Sequence, residues 1–191
     1  MRRLLLNDVQ LALTFDRLCL ELLSGSGTLS NTLILGLQPR GYRIMNRIRS
    51  RISSFSQESF MGYGSLDLTF HRDDLRHRKS PLPTPLKTDL PFDIERKSVI
   101  LVDDVLFTGR SARAALEALW TYGRPYKVEL LVLIDRLYSR HVPIEADYVG
   151  RSVNVLDHER VQVGQHEKDE EIKEVWLRTC GTHEGGTSSV E

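Results

Sequence analysis

The chain is 191 residues long, 40% hydrophobic and 27% charged, with 26 basic and 26 acidic side chains and therefore no formal net charge. That length supports one domain with a sizeable core, and the composition excludes a largely disordered chain. Neutrality excludes a bulk field drawing the whole surface to nucleic acid or membrane, so any such contact has to rest on a local basic patch.

The first residues, MRRLLLNDV, hold too short an apolar run for a signal peptide. No window approaches the roughly 18 apolar residues of a membrane span. Residues 8–23 then place Val9, Ala12, Leu13, Phe15, Leu18, Cys19, Leu22 and Leu23 at helical spacing. The two cysteines, Cys19 and Cys180, make no CxxC or Cys/His zinc pattern and no disulfide framework, so a reduced, cytoplasmic compartment is expected. SGSGTLSN, from Ser24, ends the helix, and Thr32 to Leu37, TLILGL, reads as a short buried strand. A helix over 41–53 follows, with Ile44, Ile48 and Ile52 on one side.

Leu66 to Phe70, LDLTF, alternates apolar and polar and predicts a half-buried strand. The stretch from Arg72 to about Glu95 carries RDDLRHRK and four prolines, which marks a lid, a binding loop or a disordered segment. Ser98–Val102 predicts a strand and about 110–122 a helix, with Ala112, Ala115, Leu116 and Leu119 on one face. Gly123-Arg124-Pro125 stops that helix, Val128–Ile134 is a further apolar strand, and ADYV at 146–149 reads as another. Alternating strands and helices predict an α/β fold around a mostly parallel sheet. The polar, glycine-rich tail from Gly181 is expected to be mobile.

The strand at Ser98 runs into two adjacent carboxylates, Asp103 and Asp104, before Thr108, Gly109, Arg110 and Ser111 open a helix. Ligands of open α/β sheets bind at the carboxyl ends of strands. A helix N-terminus offers unpaired N–H groups and positive dipole to a phosphate. The hydroxyls of Thr108 and Ser111 add donors, and Gly109 allows close approach of the backbone. A bare anion would be repelled by the two carboxylates, which suit hydroxyl donors or a magnesium-bound group. A ribose bearing a 5′-phosphate satisfies both halves. A lone Asp-Asp pair is more often a helix cap and Thr-Gly a turn, so the weight falls on the full spacing.

That spacing, VDDVLFTGRS over Val102 to Ser111, resembles the phosphoribosyl-pyrophosphate motif of type I phosphoribosyltransferases. GLQPRG from Gly36, DLTFHRDDL from Asp67, Gly123-Arg124-Pro125, LIDR from Leu133 and PIEADYVG from Pro143 resemble the PyrR family, over roughly residues 4–165. The family's proteins are uracil phosphoribosyltransferases that also bind RNA to regulate pyrimidine operons. The resemblance implies a type I phosphoribosyltransferase fold over 1–180, with a small hood and a flexible lid at about 72–95. It implies the reaction of uracil with phosphoribosyl pyrophosphate to give UMP and pyrophosphate, with Mg2+.

Carried over residue by residue, Asp103 and Asp104 hold the ribose hydroxyls, directly or through Mg2+ and water. Val105, Leu106, Phe107, Thr108, Gly109, Arg110 and Ser111 wrap the 5′-phosphate. Gln38-Pro39-Arg40-Gly41 resembles the pyrophosphate loop, Arg72 and Arg78 lie in the lid, and Arg136 and Val161 match positions around uracil. GLQPRG also fits GxxxxG, but Tyr42-Arg43 follows where a P-loop has Lys-Ser/Thr, which rules out that ATPase motif. Arg17 and Arg151 match basic positions that face pyrimidine operon mRNA, on a homodimer or higher oligomer. Arg43, Arg47 and Arg51, at i+4 spacing, form either a phosphate-contacting stripe or, as the favoured reading, a solvated face.

Four departures stand out. Asp135-Arg136-Leu137-Tyr138 replaces Asp-Arg-Gly-His, one extra residue precedes Pro143, Pro39 replaces a threonine and His71 a tyrosine. Leu20 also stands where the RNA-facing helix has a histidine. Two alternatives stay open: a purely regulatory RNA-binding nucleotide sensor, and a phosphoribosyltransferase for a purine base.

Overall fold

The computed structural model describes residues 2–25, 29–56, 60–71, 84–156, 158–164 and 171–179. Strand β1 (Arg2–Leu6) leads into helix α1 (Asp8–Gly25), and a short 3-10 turn precedes β2 (Thr32–Leu37). Helix α2 (Arg40–Phe55), β3 (Gly62–Leu66), β4 (Ser98–Leu106), α3 (Arg110–Trp120) and β5 (Lys127–Leu137) follow. The described elements end with β6 (Tyr148–Asn154), β7 (Glu159–Val163) and β8 (Val175–Thr179).

Five strands form a parallel sheet in the order β3-β2-β4-β5-β6. Strand periodicity divides its core between two faces. Ile34, Ile100, Val102, Leu131 and Leu133 pack with Phe15 and Leu18 of α1 and with Ile44 and Ile48 of α2. Their neighbours Leu33, Leu35, Val99, Leu101, Leu130 and Val132 pack with Ala112, Ala115 and Leu119 of α3. The predicted isoleucine face of α2 is buried as expected, with Met45 added. Helix α1 starts from a reciprocal cap: Gln10 N donates to Asn7 Oδ1 at 2.8 Å, and Asn7 N to Gln10 Oε1 at 3.2 Å.

A second sheet of three antiparallel strands, β1-β8-β7, joins the two ends of the described chain. Leu5, Leu6, Val161, Val175 and Leu177 share one apolar cluster with α1 and α2. Arg47 of α2 donates to the Ile172 carbonyl, and its guanidinium lies 4.5 Å from the Phe15 ring centre. Arg151 of β6 donates to the Leu5 carbonyl.

Several expectations change. The strand expected at 66–70 lies at Gly62–Leu66 and pairs in parallel with β2. Its two glycines concealed it: Gly62 packs under the Phe92 ring and Gly64 against the Asp89 carbonyl, where no side chain fits. The alternation read over LDLTF is real to Leu68, which is buried, but Phe70 stands exposed. Strand β4 does not stop at Val102. It continues to Leu106, so both aspartates lie inside the strand, with Asp103 opposite Val132 of β5. The strand read at 146–149 begins at Tyr148 and runs to Asn154. On α1, Val9 and Leu13 belong to the exposed side rather than the core face.

Arg43, Arg47 and Arg51 are half-buried rather than solvated, and Arg51 pairs with Asp16 of α1. Cys19 is buried, and burial pushes its thiol up to about 12, beyond reactive range. Cys180, residues 72–83 of the lid stretch and the tail from Gly181 lie outside the described residues. Among the described residues no helix is long and apolar enough to cross a membrane.

Candidate functional site

The order β3-β2-β4-β5-β6 reverses direction between β2 and β4. After β2 the chain turns through α2 to β3 on one side, and after β4 through α3 to β5 on the other. The loops leaving β2 and β4 diverge there and open a crevice, the usual ligand position of such sheets. Gly41, in the first turn of α2, sits against β4: a Cβ there would lie 2.0 Å from the Val102 carbonyl oxygen. Glycine therefore lets Pro39 and Arg40 approach the strand that carries the two acids.

Arg40 Nη1 donates to Asp104 Oδ2 at 3.0 Å across this crevice. Asp103 Oδ1 accepts from Asp104 N, and Asp104 Oδ1 accepts from Val105 N, each at 2.9 Å. Asp104 is buried at 7% exposure. The Asp103 carboxyl is pushed up to about 8, first by burial and then by the neighbouring Asp104 carboxylate, while Arg40 acts in the opposite sense. The site sets two adjacent carboxyls against Arg40, with Arg136 and Arg160 on the same cavity wall. It suits hydroxyl donors or a hydrated cation on the acid side.

A cavity of about 620 Å³ opens at this point. Of the residues singled out in the sequence, Pro39, Arg40, Asp103, Asp104, Val105, Phe107, Ser111, Arg136 and Val161 line it. Arg136 is buried at 4% exposure, with its guanidinium 3.8 Å from the Phe107 ring centre. Val161 is both a core valine and a wall of the cavity. The side chain of Leu106 belongs to the α3-side core, and its backbone pairs with Asp135 of β5. Thr108, Gly109 and Arg110 form the turn into α3, where Gly109 adopts φ +85° and no side chain caps the helix from that position. Arg72 and Arg78 lie outside the described residues.

Arg17 and Arg151 lie away from the cavity. Arg17 Nη2 donates to the Val149 and Gly150 carbonyls at 2.8 and 2.6 Å, and Arg151 serves the Leu5 carbonyl. Sequence reasoning missed Arg160 and the Asp67 turn, which also line the cavity. Asp67 accepts from the Thr69 hydroxyl at 2.8 Å and from Leu86 N at 3.2 Å, tying both stems of the long loop together. Arg160 adjoins Val161 in β7, a strand with no strong pattern of its own. Reading that strand was the signal needed to find it.

A parallel sheet with its acid pair and helix starts at the switch point has the build of a phosphoribosyltransferase, and the phosphoribosyl transferase domain matches residues 10–169. Hypoxanthine phosphoribosyltransferase from Staphylococcus aureus superposes with a TM-score of 0.65, at 20% identity, over 91% of this chain and 90% of its own. Hypoxanthine-guanine phosphoribosyltransferase from Bacillus anthracis gives 0.68 at 16% identity, over 93% and 98%. At those identities the likeness concerns the fold. Sequence relatives narrow it. Bifunctional protein PyrR of Chloroflexus aurantiacus is 44% identical over 162 residues, 85% of this chain and 87% of that protein. Its counterpart in Microcystis aeruginosa is 42% identical over 82% and 86%, and that of Bacillus cereus 38% over 89% and 94%. The chain belongs to the PyrR family of type I phosphoribosyltransferases.

Proposed function

We propose that the chain is a uracil phosphoribosyltransferase that converts uracil and phosphoribosyl pyrophosphate to UMP and pyrophosphate, and a UMP-responsive RNA-binding regulator of pyrimidine genes. The observation that carries the enzymatic reading is the Asp103–Asp104 pair facing Arg40 at the switch point, 3.0 Å from Asp104 to Arg40. In this reading the aspartates accept the ribose hydroxyls and the turn into α3 receives the 5′-phosphate. Arg40, with Arg72 and Arg78, takes the pyrophosphate. Arg136 and Val161 frame the base.

As pyrophosphate leaves, the anomeric carbon gains positive character. The chain's part is to hold the reacting groups in line and to stabilise separated charge. Asp103 and Asp104 would hold Mg2+ directly or through water, with substrate oxygens completing its shell. Bound with pyrophosphate, the cation would neutralise the leaving group.

A base panel tests the reading. Uracil, orotate, hypoxanthine and guanine are each offered with phosphoribosyl pyrophosphate and Mg2+, and uracil should give the highest kcat/KM. Preference for a purine would overturn the choice of base. Asp103→Asn/Asp104→Asn should lower kcat/KM by about 100-fold or more. Unchanged turnover would remove the acid pair from the mechanism.

Regulation rests on kinship with proteins named bifunctional. Arg17 is the local candidate: its side chain stays 47% exposed, with Nη1 paired to Glu21 and Nη2 donating to the Val149 and Gly150 carbonyls. Arg151 takes the same proposed role from β6, on a homodimer or higher oligomer. A pyrimidine-leader hairpin should bind more tightly with UMP. Arg17→Ala should weaken binding and reduce the salt slope by about one. Equal binding of a scrambled hairpin would remove the regulatory half.

A further inference from the structure

Arg140 lies in the stretch that departs from the family pattern, just before Pro143. Its guanidinium makes five contacts, four with backbone carbonyls and one with a carboxylate. Nε donates to the Ile144 carbonyl at 3.1 Å. Nη1 shares its hydrogens among the carbonyls of Phe107 at 2.6 Å, Arg136 at 2.9 Å and Leu106 at 3.3 Å. Nη2 pairs with Asp135. The next two residues continue the pattern, because His141 N and Val142 N donate to the Thr108 carbonyl at 2.9 and 3.1 Å. Val142 also packs 3.3 Å from the position a Cβ on Gly109 would take.

The carbonyls of Leu106, Phe107 and Thr108 are thus all held from one side by residues 140–142. Only Gln38–Pro39 is a cis peptide among the described residues, so these three units are trans. In a planar trans peptide the carbonyl and the following N–H point in opposite directions. Fixing the three carbonyls therefore turns the N–H groups of Phe107, Thr108 and Gly109 away from the 140–142 segment. A loop that is to bind an anion through backbone donors needs them ordered before the ligand arrives.

We infer that Arg140 is a positioning residue for phosphate: with His141 and Val142 it braces the 106–109 turn from behind, so that three successive N–H groups face the 5′-phosphate of the sugar. This rests on the reading of that turn as the phosphate site, and makes no demand on which base is used. The inserted residue before Pro143 then alters the backing of the phosphate turn rather than the base pocket.

Calorimetric titration with ribose 5-phosphate tests the brace without turnover, alongside steady-state kinetics on the full chain. Arg140→Ala should weaken ribose 5-phosphate binding by about tenfold or more, since several charge-assisted bonds are lost. Arg140→Lys keeps the charge but not the fork and should restore part of the affinity. KM for phosphoribosyl pyrophosphate should rise in parallel, with KM for uracil changing by less than about twofold. If Arg140→Ala does not fold, Arg140→Lys still decides: weaker binding supports the brace, and affinity equal to the parent overturns it. An altered melting temperature with unchanged ribose 5-phosphate affinity also overturns it. If the parent chain itself binds no ribose 5-phosphate, the phosphate reading of the turn fails, and the brace fails with it.

Discussion

Asp103 shows how the residues of the crevice depend on one another. Its carboxyl rises from 3.8 to about 8 because burial and the Asp104 carboxylate both oppose its charge. The folded chain therefore keeps this proton at pH values where the unfolded chain has released it. Its contribution to stability is full below the unfolded value and declines as pH rises from about 4 to about 8. The urea midpoint of the ligand-free protein should fall relative to Asp103→Asn across that interval. Parallel curves for the two proteins would contradict the elevated value. At this scale the sequence was informative where chemistry is concentrated in a few adjacent positions. Asp103, Asp104, Arg40 and Ser111 were all named from it, and all line the cavity. Arg160 and Asp67 were missed because their relevance depends on a strand and a turn that the linear pattern did not reveal. Arg17 and Arg151 were named from the sequence as RNA-facing basic positions, and each is anchored to backbone carbonyls.

Elements with strong periodicity were legible. The isoleucine face of α2 and the alanine face of α3 follow the 3.6-residue repeat and bury the expected side chains. Strand β2 is apolar and fully buried along its length, and its limits were read correctly from Thr32 to Leu37. Strand β3 was not, since GYGSL lacks the β-branched residues of a typical strand. Its place is decided by what lies above it, Phe92 and the Asp89 carbonyl. The run of β4 beyond Val102 has a similar cause: parallel pairing with β5 carries the backbone on to Leu106 despite two carboxylates. Gly41 gives a direct test of how the loop after β2 is seated. Gly41→Ala places a Cβ 2.0 Å from the Val102 carbonyl oxygen and forces α2 away from β4. The substitution should cost about 1–3 kcal/mol in urea unfolding. It should also lower affinity for phosphoribosyl pyrophosphate, because Arg40 moves with the helix. Full stability with intact binding would show that the helix start is not constrained by this contact.

The whole molecule is held together by contacts that span most of the chain. Strand β1 pairs with β8, Arg3 opposite Leu177, and the resulting sheet is joined to α2 by Arg47 and to β6 through Arg151. Burial lowers the Arg47 pKa from its ordinary value, a sign that its charge is held in a partly desolvated place. Arg47→Ala should lower stability by about 1–3 kcal/mol, as expected when a buried carbonyl loses a charged donor. Hydrogen exchange should rise in β7 and β8 more than in β4, and a uniform change would indicate that Arg47 does not couple the small sheet to α2. The sequence by itself determined the α/β alternation, the helix faces and the placing of two adjacent acids ahead of a Thr-Gly helix start. Those properties are set by residues within a few positions of one another. Tertiary structure decided where β3 runs, how far β4 extends, which arginines are anchored, and how the chain's ends close into the three-stranded sheet. It also decided that residues 140–142 stand against the 106–109 turn, since their partners lie some thirty positions earlier. These features depend on which distant backbone groups meet, and short-range periodicity carries no record of that.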